Sequence, residues 1–103
     1  MADLTQQQWR EKLEKDTNAI ILDVRTDAEF DEGYIPGALH MDVQNTAQFY
    51  EKAKGLDTSK NYYIYCRSGG RSGYACALFN SLGIKNTYNL MGGIMEWQGE
   101  TIN

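Results

Sequence analysis

The part of this sequence with the clearest chemical potential is a cysteine at the end of an aromatic and β-branched run. The run 62–65 is typical of a β-strand, and Cys66 follows it directly. A tight polar turn and a helical pattern come next, so the thiol is expected beside the positive end of a helix. A thiol in that position has a lowered pKa, and the amides of such a loop bind anions. The stretch therefore predicts a thiolate nucleophile in an anion-binding loop.

The residues after the cysteine supply hydrogen-bond donors for a charged sulfur atom. Gly69 and Gly70 allow positive φ and close backbone approach, so that successive amide groups can point at one centre. Arg67 adds a planar donor suited to oxyanions, and the hydroxyl groups of Ser68 and Ser72 are further donors. We expect these groups to form a locally positive socket around the thiolate.

A second arginine, Arg71, occupies an unusual position in this pattern. A cation in the first turn of a helix opposes the helix dipole, so its presence requires a further reason, and a bound anion would provide one. In the alternative interpretation, Cys66 is a buried residue of an ordinary strand–helix turn. That interpretation is weaker, because a simple turn requires neither two arginines nor two adjacent glycines.

Hydrophobic periodicity, capping residues and glycines predict the elements that position this loop. Helices are predicted at 6–15, 27–33, 46–55 and 71–82. Strands are predicted at 19–24, 38–41, 62–65 and 85–90. Their alternation predicts a three-layer α/β fold, with a mainly parallel central sheet of about five strands and helices on both faces. Ligands bind at the carboxyl ends of strands in such sheets, and Cys66 is predicted to lie at one of those ends.

Length and composition are typical of one soluble domain covering residues 1–103. The net charge of −4 makes nucleic acid and anionic membranes unfavourable partners. No apolar run is long enough to cross a membrane, and the N-terminus lacks the pattern of a signal peptide. We therefore expect a cytoplasmic protein with reduced thiols, which is a monomer or a weak dimer.

The second cysteine and the single histidine are interpreted as structural. Together with Cys66 they form no metal-binding pattern, so neither a metal nor another cofactor is expected. Cys76 is predicted on the helix after the loop, as a small core residue rather than a disulfide partner. His40 could serve as a base for the thiol, but the helix end and the loop amides already provide that activation.

Two charged residues lie between the first predicted strand and the short helix after it. Arg25 and Glu29 are four residues apart, and we expect them to pair and to tie these two elements together. A direct contact of either residue with substrate is the less favoured interpretation.

Several ordered blocks extend the pattern beyond the loop. They are 23–25, 29–30, 33–38, 66–72 and 92–93, the last of them before Trp97. Together these blocks resemble the rhodanese (thiosulfate sulfurtransferase) family in its single-domain form, over about residues 20–97. One departure is Tyr34, where the family often has histidine in a Gly-His-Ile-Pro-Gly motif. This position is interpreted as structural.

The resemblance implies a rhodanese-like fold and a ping-pong transfer of sulfane sulfur. A thiolate at Cys66 would take the sulfane sulfur of a donor such as thiosulfate as a persulfide and release sulfite. Cyanide or a thiol, including one on a protein, would then accept the sulfur. The loop amides with Ser68 and Ser72 would hold the persulfide anion, while Arg67 and Arg71 would attract the anionic donor.

Two other functions stay open at this point. Cysteine phosphatases, some of them rhodanese-like, use a His-Cys-x5-Arg loop around phosphate, and arsenate chemistry is open for the same reason. Here Tyr65 precedes the cysteine and only four residues separate Cys66 from Arg71, which favours a lone sulfur atom over a tetrahedral phosphate. The other alternative is a binding or sulfur-carrier module with a protein as its acceptor.

Overall fold

A computed structural model describes residues 1–103 as a five-stranded parallel sheet between two layers of helices. The strands are β1 (Ala2–Leu4), β2 (Ala19–Asp23), β3 (Leu39–His40), β4 (Asn61–Tyr65) and β5 (Thr87–Leu90). The helices are α1 (Gln6–Lys15), α2 (Asp27–Asp31), α3 (Thr46–Lys54) and α4 (Gly70–Ser81), followed by a 3₁₀ helix at Ile94–Glu96. None of these helices is both long and apolar enough to cross a membrane. The predicted three-layer α/β architecture is confirmed.

Strand β4 lies at the centre of the sheet. The strand order is β1-β5-β4-β2-β3, and every neighbouring pair is parallel. The register places Ile64 of β4 between Leu22 of β2 and Asn89 of β5. Because all strands run in one direction, the loops after β2, β4 and β5 emerge at the same end of the sheet. The cysteine loop therefore has neighbours from distant parts of the chain.

The side chains of β4 alternate between two hydrophobic cores. Tyr62 and Ile64 face the core beneath α3 and α4, and the next residue of that phase is Cys66. Tyr63 and Tyr65 face the core beneath α1. The helical residues of these cores are Phe49, Ala53, Ala75, Cys76 and Phe79 on the first side and Trp9 on the second. Burial on both faces explains why residues 62–65 of β4 are apolar or aromatic without interruption.

Local capping signals locate most helix ends well. Thr5 and Gln8 form a capping box at the start of α1, and Thr26 and Glu29 form a second one at the start of α2. Gly83 follows the end of α4 with a φ of +92°, a left-handed conformation that glycine adopts without strain. Helix α4 begins at Gly70, one residue before the predicted start.

The pattern analysis locates four of the five strands and does not locate β1. This strand is three residues long and pairs only with β5, at the edge of the sheet. It contains no β-branched or aromatic residue, so its sequence carries no strand signal. Its pairing places Asp3 beside Asn89, and both residues contribute to the network beneath the cysteine loop.

Candidate active site

The thiol of Cys66 lies at the carboxyl end of β4, at the bottom of a socket formed by the loop. Only 1% of the residue is exposed. Its Sγ accepts a hydrogen bond from the amide of Gly69 at 3.1 Å and lies 3.3 Å from Ser72 Oγ. Burial raises the thiol pKa, but hydrogen bonds from Ser72 and from the backbone amides of Ser68 and Gly69 outweigh burial and hold that pKa below its usual value. The geometry favours a thiolate.

The two glycines of the loop have different conformations. Gly69 has a φ of +110°, which turns its amide toward the sulfur and makes it the N-cap of α4. Gly70 has no positive φ and is the first helical residue. Of the two glycines, only Gly69 adopts the positive φ that glycine allows, because the chain enters the helix after a single left-handed residue.

The turn after β5 closes the base of the loop. The amides of Ile94 and Met95 donate to the carbonyls of Cys66 and Arg67, each at 3.0 Å. Gly93 lies against the same two carbonyls, and a Cβ atom placed on it would be 2.6 Å from the Cys66 oxygen. The sequence analysis includes Gly93 in a family block but gives it no role. The structure shows that it allows this close backbone contact.

A buried amide, Asn89, connects the loop to the sheet. Its Nδ2 donates to the carbonyl of Gly69 at 3.1 Å and to Oδ1 of Asp3 at 2.8 Å. Its Oδ1 therefore faces Ser72 Oγ at 2.5 Å, and the single hydroxyl hydrogen of Ser72 can be donated either to this oxygen or to the sulfur of Cys66. The Ser72 hydroxyl lies between this oxygen and the sulfur of Cys66. Asn89 is not among the site residues predicted from sequence, although an amide inside a predicted buried strand is a signal for such a role.

Two arginines near the loop have partners other than the expected ones. Arg71 was expected to attract the anionic donor, and Arg25 was expected to pair with Glu29. Arg71 donates from Nη1 and Nη2 to the two carboxylate oxygens of Glu29, at 2.7 and 2.8 Å. The carboxylate of Glu29 is not the partner of Arg25, which binds both carboxylate oxygens of Asp23. Arg25 nevertheless connects the strand to the short helix, because its Nη1 donates to the backbone carbonyl of Glu29 at 3.2 Å. An internal carboxylate therefore accounts for the cation in the first turn of α4, where the sequence analysis invoked a bound anion.

Arg67 is the one arginine of the loop whose side chain has no partner within the protein. It is exposed and forms neither a hydrogen bond nor an ion pair through its guanidinium group. It lines a cleft of about 440 Å³ beside the loop, together with Arg25, Glu29, Glu32, Ile94 and Met95. The guanidinium group of Arg67 is thus available to a bound anion.

The histidine and the tyrosine that were interpreted as structural have structural contacts. The rings of Tyr34 and His40 both stack on Phe30, with centroids 4.1 and 4.5 Å away. His40 Nε2 lies 2.7 Å from the carbonyl oxygen of Arg25. No three His, Cys, Asp or Glu side chains come together as a metal site requires.

The two cysteines differ in a way that predicts their reactivity. Both thiols are free, and Cys76 is fully buried in the core, where burial raises its pKa to about 11. We expect iodoacetamide at pH 8 to alkylate Cys66 at least about tenfold faster than Cys76, because the thiolate is the nucleophile. Peptide mapping of the native protein measures the ratio. Equal labelling of wild type and Cys66→Ser would contradict this expectation.

Comparison with known proteins agrees with the fold. The sequence model of the family described as "Rhodanese-like domain" matches residues 5–100. "Putative sulfurtransferase YtwF" of Bacillus subtilis is 42% identical over 92 residues, which are 89% of this chain and 85% of that protein. "Putative sulfur carrier protein YrkF" of the same organism is 29% identical over 99 residues, 96% of this chain and 52% of that protein.

Other relatives and a solved structure complete this comparison. Some relatives are named tRNA uridine(34) hydroxylase, and this chain covers about 30% of their length. A crystal structure of a rhodanese-like domain protein from Staphylococcus aureus superposes with a TM-score of 0.81 at 30% identity, covering 97% of this chain and 94% of that one. Since both the sequence match and the structural match extend over nearly all of its residues, the chain belongs to the rhodanese-like domain family.

Proposed function

We propose that this protein is a sulfurtransferase that carries sulfane sulfur on Cys66, from a small anionic donor such as thiosulfate to a thiophilic acceptor such as cyanide or a thiol. The observation that carries this proposal is the buried Cys66 thiol, whose Sγ lies 3.1 Å from the Gly69 amide and 3.3 Å from the Ser72 hydroxyl. Its burial restricts attack to an atom that can enter the socket, as the terminal sulfur of a sulfane donor can.

The proposed reaction has two steps with balanced electrons. In the first, the Cys66 thiolate attacks the sulfane sulfur of thiosulfate, the S–S bond breaks, and sulfite leaves with its electron pair. This step leaves a persulfide anion, which the amides of Ser68 and Gly69 can stabilise. In the second, the acceptor attacks the outer sulfur of the persulfide, the bond between that sulfur and Cys66 Sγ breaks, and its electron pair returns to Cys66 as a thiolate.

The phosphatase alternative is less well supported. Phosphoryl transfer needs cationic donors around three equatorial oxygens. Arg71, the loop arginine at the position compared with that of the phosphatases, has both terminal nitrogens hydrogen-bonded to Glu29. The loop also has only four residues between Cys66 and Arg71.

The sulfur-carrier alternative uses the same persulfide and differs only in turnover. One relative is named a sulfur carrier, which makes this the second candidate. Thiosulfate:cyanide turnover separates the two, because a carrier would form the persulfide and pass it poorly to cyanide.

The experiment that tests the proposal compares wild type with Cys66→Ser. Thiosulfate treatment should raise the intact mass of the wild type by one sulfur atom, located on Cys66 by peptide mapping, and cyanide should remove it as thiocyanate. Cys66→Ser should neither gain the sulfur nor produce thiocyanate above background. Equal thiocyanate production by both proteins would exclude the mechanism, and rapid hydrolysis of an aryl phosphate without sulfur uptake would favour the phosphatase alternative.

A further inference from the structure

The charges around the mouth of the socket largely cancel. Arg25 is held by Asp23 and Arg71 by Glu29, each through a bidentate contact. The remaining charged side chains of the adjacent cleft are Arg67 and Glu32, one of each sign. A donor that enters this cleft therefore meets a single unpaired guanidinium group, that of Arg67, on a protein whose net charge is −4.

The carboxylate of Glu29 is fixed at this position. It accepts hydrogen bonds from both terminal nitrogens of Arg71. Its Oε1 also accepts hydrogen bonds from the amide and the hydroxyl of Thr26, at 3.1 and 3.0 Å. The hydrogen bond and charge of Arg71 lower the pKa of Glu29 to about 2, so that the group stays ionised near neutral pH. Glu29 thus places a permanent negative charge beside the cleft and occupies the donors of Arg71.

We propose that Glu29 is a specificity-determining residue that makes this socket select singly charged sulfane donors, such as organic thiosulfonates and persulfides, over the dianion thiosulfate. The inference rests on the proposed function and names its preferred donor class. A carboxylate repels a dianion about twice as strongly as a monoanion at the same distance. It also withholds from the donor the guanidinium group that would offset a second charge.

The test uses Glu29→Gln with two donors of different charge and cyanide as acceptor. Thiosulfate carries two negative charges, whereas benzenethiosulfonate carries one. With the second donor, Cys66 attacks the terminal sulfur, the S–S bond breaks, and benzenesulfinate leaves with the electron pair. Glutamine preserves the capping box with Thr26, so α2 should still form.

We expect Glu29→Gln to raise kcat/KM about sixfold for thiosulfate and about 2.5-fold for benzenethiosulfonate, since the energy gained by removing one charge is proportional to the charge of the donor. The gain should reside in KM and should shrink as salt is raised, because salt screens charges near the surface. Equal changes for both donors, or a gain that salt does not reduce, would overturn the proposal.

Glu32→Gln is the matched control. Glu32 lines the same cleft, lies on the same segment and forms no ion pair, so its neutralisation changes the net charge equally without releasing Arg71. Glu32→Gln should change the ratio of kcat/KM for thiosulfate to kcat/KM for benzenethiosulfonate less than Glu29→Gln does. An equal effect would assign the selectivity to net charge and would refute a specific role for Glu29.

A second measurement requires no sulfur transfer. Sulfate is a dianion without sulfane sulfur, and its binding at the socket should protect Cys66 from iodoacetamide. The sulfate concentration that gives half protection should fall about sixfold in Glu29→Gln. If neither donor transfers sulfur but protection shifts in this way, the proposed function fails while the charge effect of Glu29 stands. If transfer occurs and protection does not shift, the inference alone fails.

Discussion

Gly93→Ala should remove most of the activity of this protein and destabilise it by about 3 kcal/mol. Gly93 has φ +60° and ψ −165°, a combination that is available essentially to glycine alone. An added Cβ would lie 2.6 Å from the carbonyl oxygen of Cys66 and closer still to that of Arg67. Both contacts are with backbone, so relief requires the cysteine loop itself to move. Chemical denaturation and the rate of sulfur uptake from thiosulfate measure the two effects.

The loss of activity should exceed what the loss of stability alone explains. A displacement of about 1 Å at a reacting group can cost about a hundredfold in rate. Gly83→Ala is the matched control, because Gly83 also has a positive φ but nothing lies within 4 Å of its added Cβ. It should lower the stability by about 1 kcal/mol and leave sulfur uptake unchanged. If Gly93→Ala took up sulfur at the wild-type rate, the close contact of Gly93 with the Cys66 and Arg67 carbonyls would not be needed for activity.

The parts of the fold that sequence predicts are those set by neighbours in the chain. The capping boxes at Thr5 and Thr26 and the glycine at the end of α4 act over three or four residues, and they locate helix ends well. The central strand is marked by its uninterrupted apolar and aromatic run. The environment of the Cys66 thiol is also predictable from sequence, because Cys66 and Gly69 are three residues apart and their hydrogen bond depends on the local turn.

The parts of the site that sequence leaves open are contacts between distant segments. Glu29 is 42 residues from Arg71, and Asn89 is 17 from Ser72 and 86 from Asp3. Spacing along the chain carries no information about such pairs. An arginine in a first helical turn indicates a nearby anion, but local sequence does not distinguish a bound substrate from a carboxylate of the same protein.

The position of strand β1 is likewise set by a contact between distant segments, which the sequence does not predict. Its three residues have no strand signal, and they pair because β5 presents an open edge. Once paired, β1 brings Asp3 to Asn89 and completes a chain of hydrogen bonds that reaches Ser72. A segment with no recognisable pattern therefore supports the socket. The pairing of β1 therefore fixes the orientation of the Asn89 amide, through the hydrogen bond from Asn89 Nδ2 to Asp3 Oδ1 at 2.8 Å.

The ion pair between Asp23 and Arg25 should be the most sensitive charged contact of the fold. Asp23 is fully buried and Arg25 is 5% exposed. Arg25→Met keeps most of the side-chain volume but leaves the Asp23 carboxylate without its counter-charge, and removal of one partner of a buried pair costs about 3–5 kcal/mol. Denaturant titration should show this loss as a lower midpoint with an unchanged m-value.

A double variant separates the buried charge from the lost packing of Arg25→Met. In Asp23→Asn/Arg25→Met the buried negative charge at position 23 is removed. The side-chain oxygen of the new asparagine can still accept a hydrogen bond from the backbone N–H of residue 25, which donates to Asp23 at 2.9 Å in the wild type. The double variant should therefore be more stable than Arg25→Met alone and should recover more than half of the loss. Equal stability of the two variants would show that the other contacts of Arg25, with the carbonyls of Glu29 and Gly33, carry its contribution. In that case Arg25 would stabilise the fold chiefly by holding the segment that positions Glu29 beside the socket.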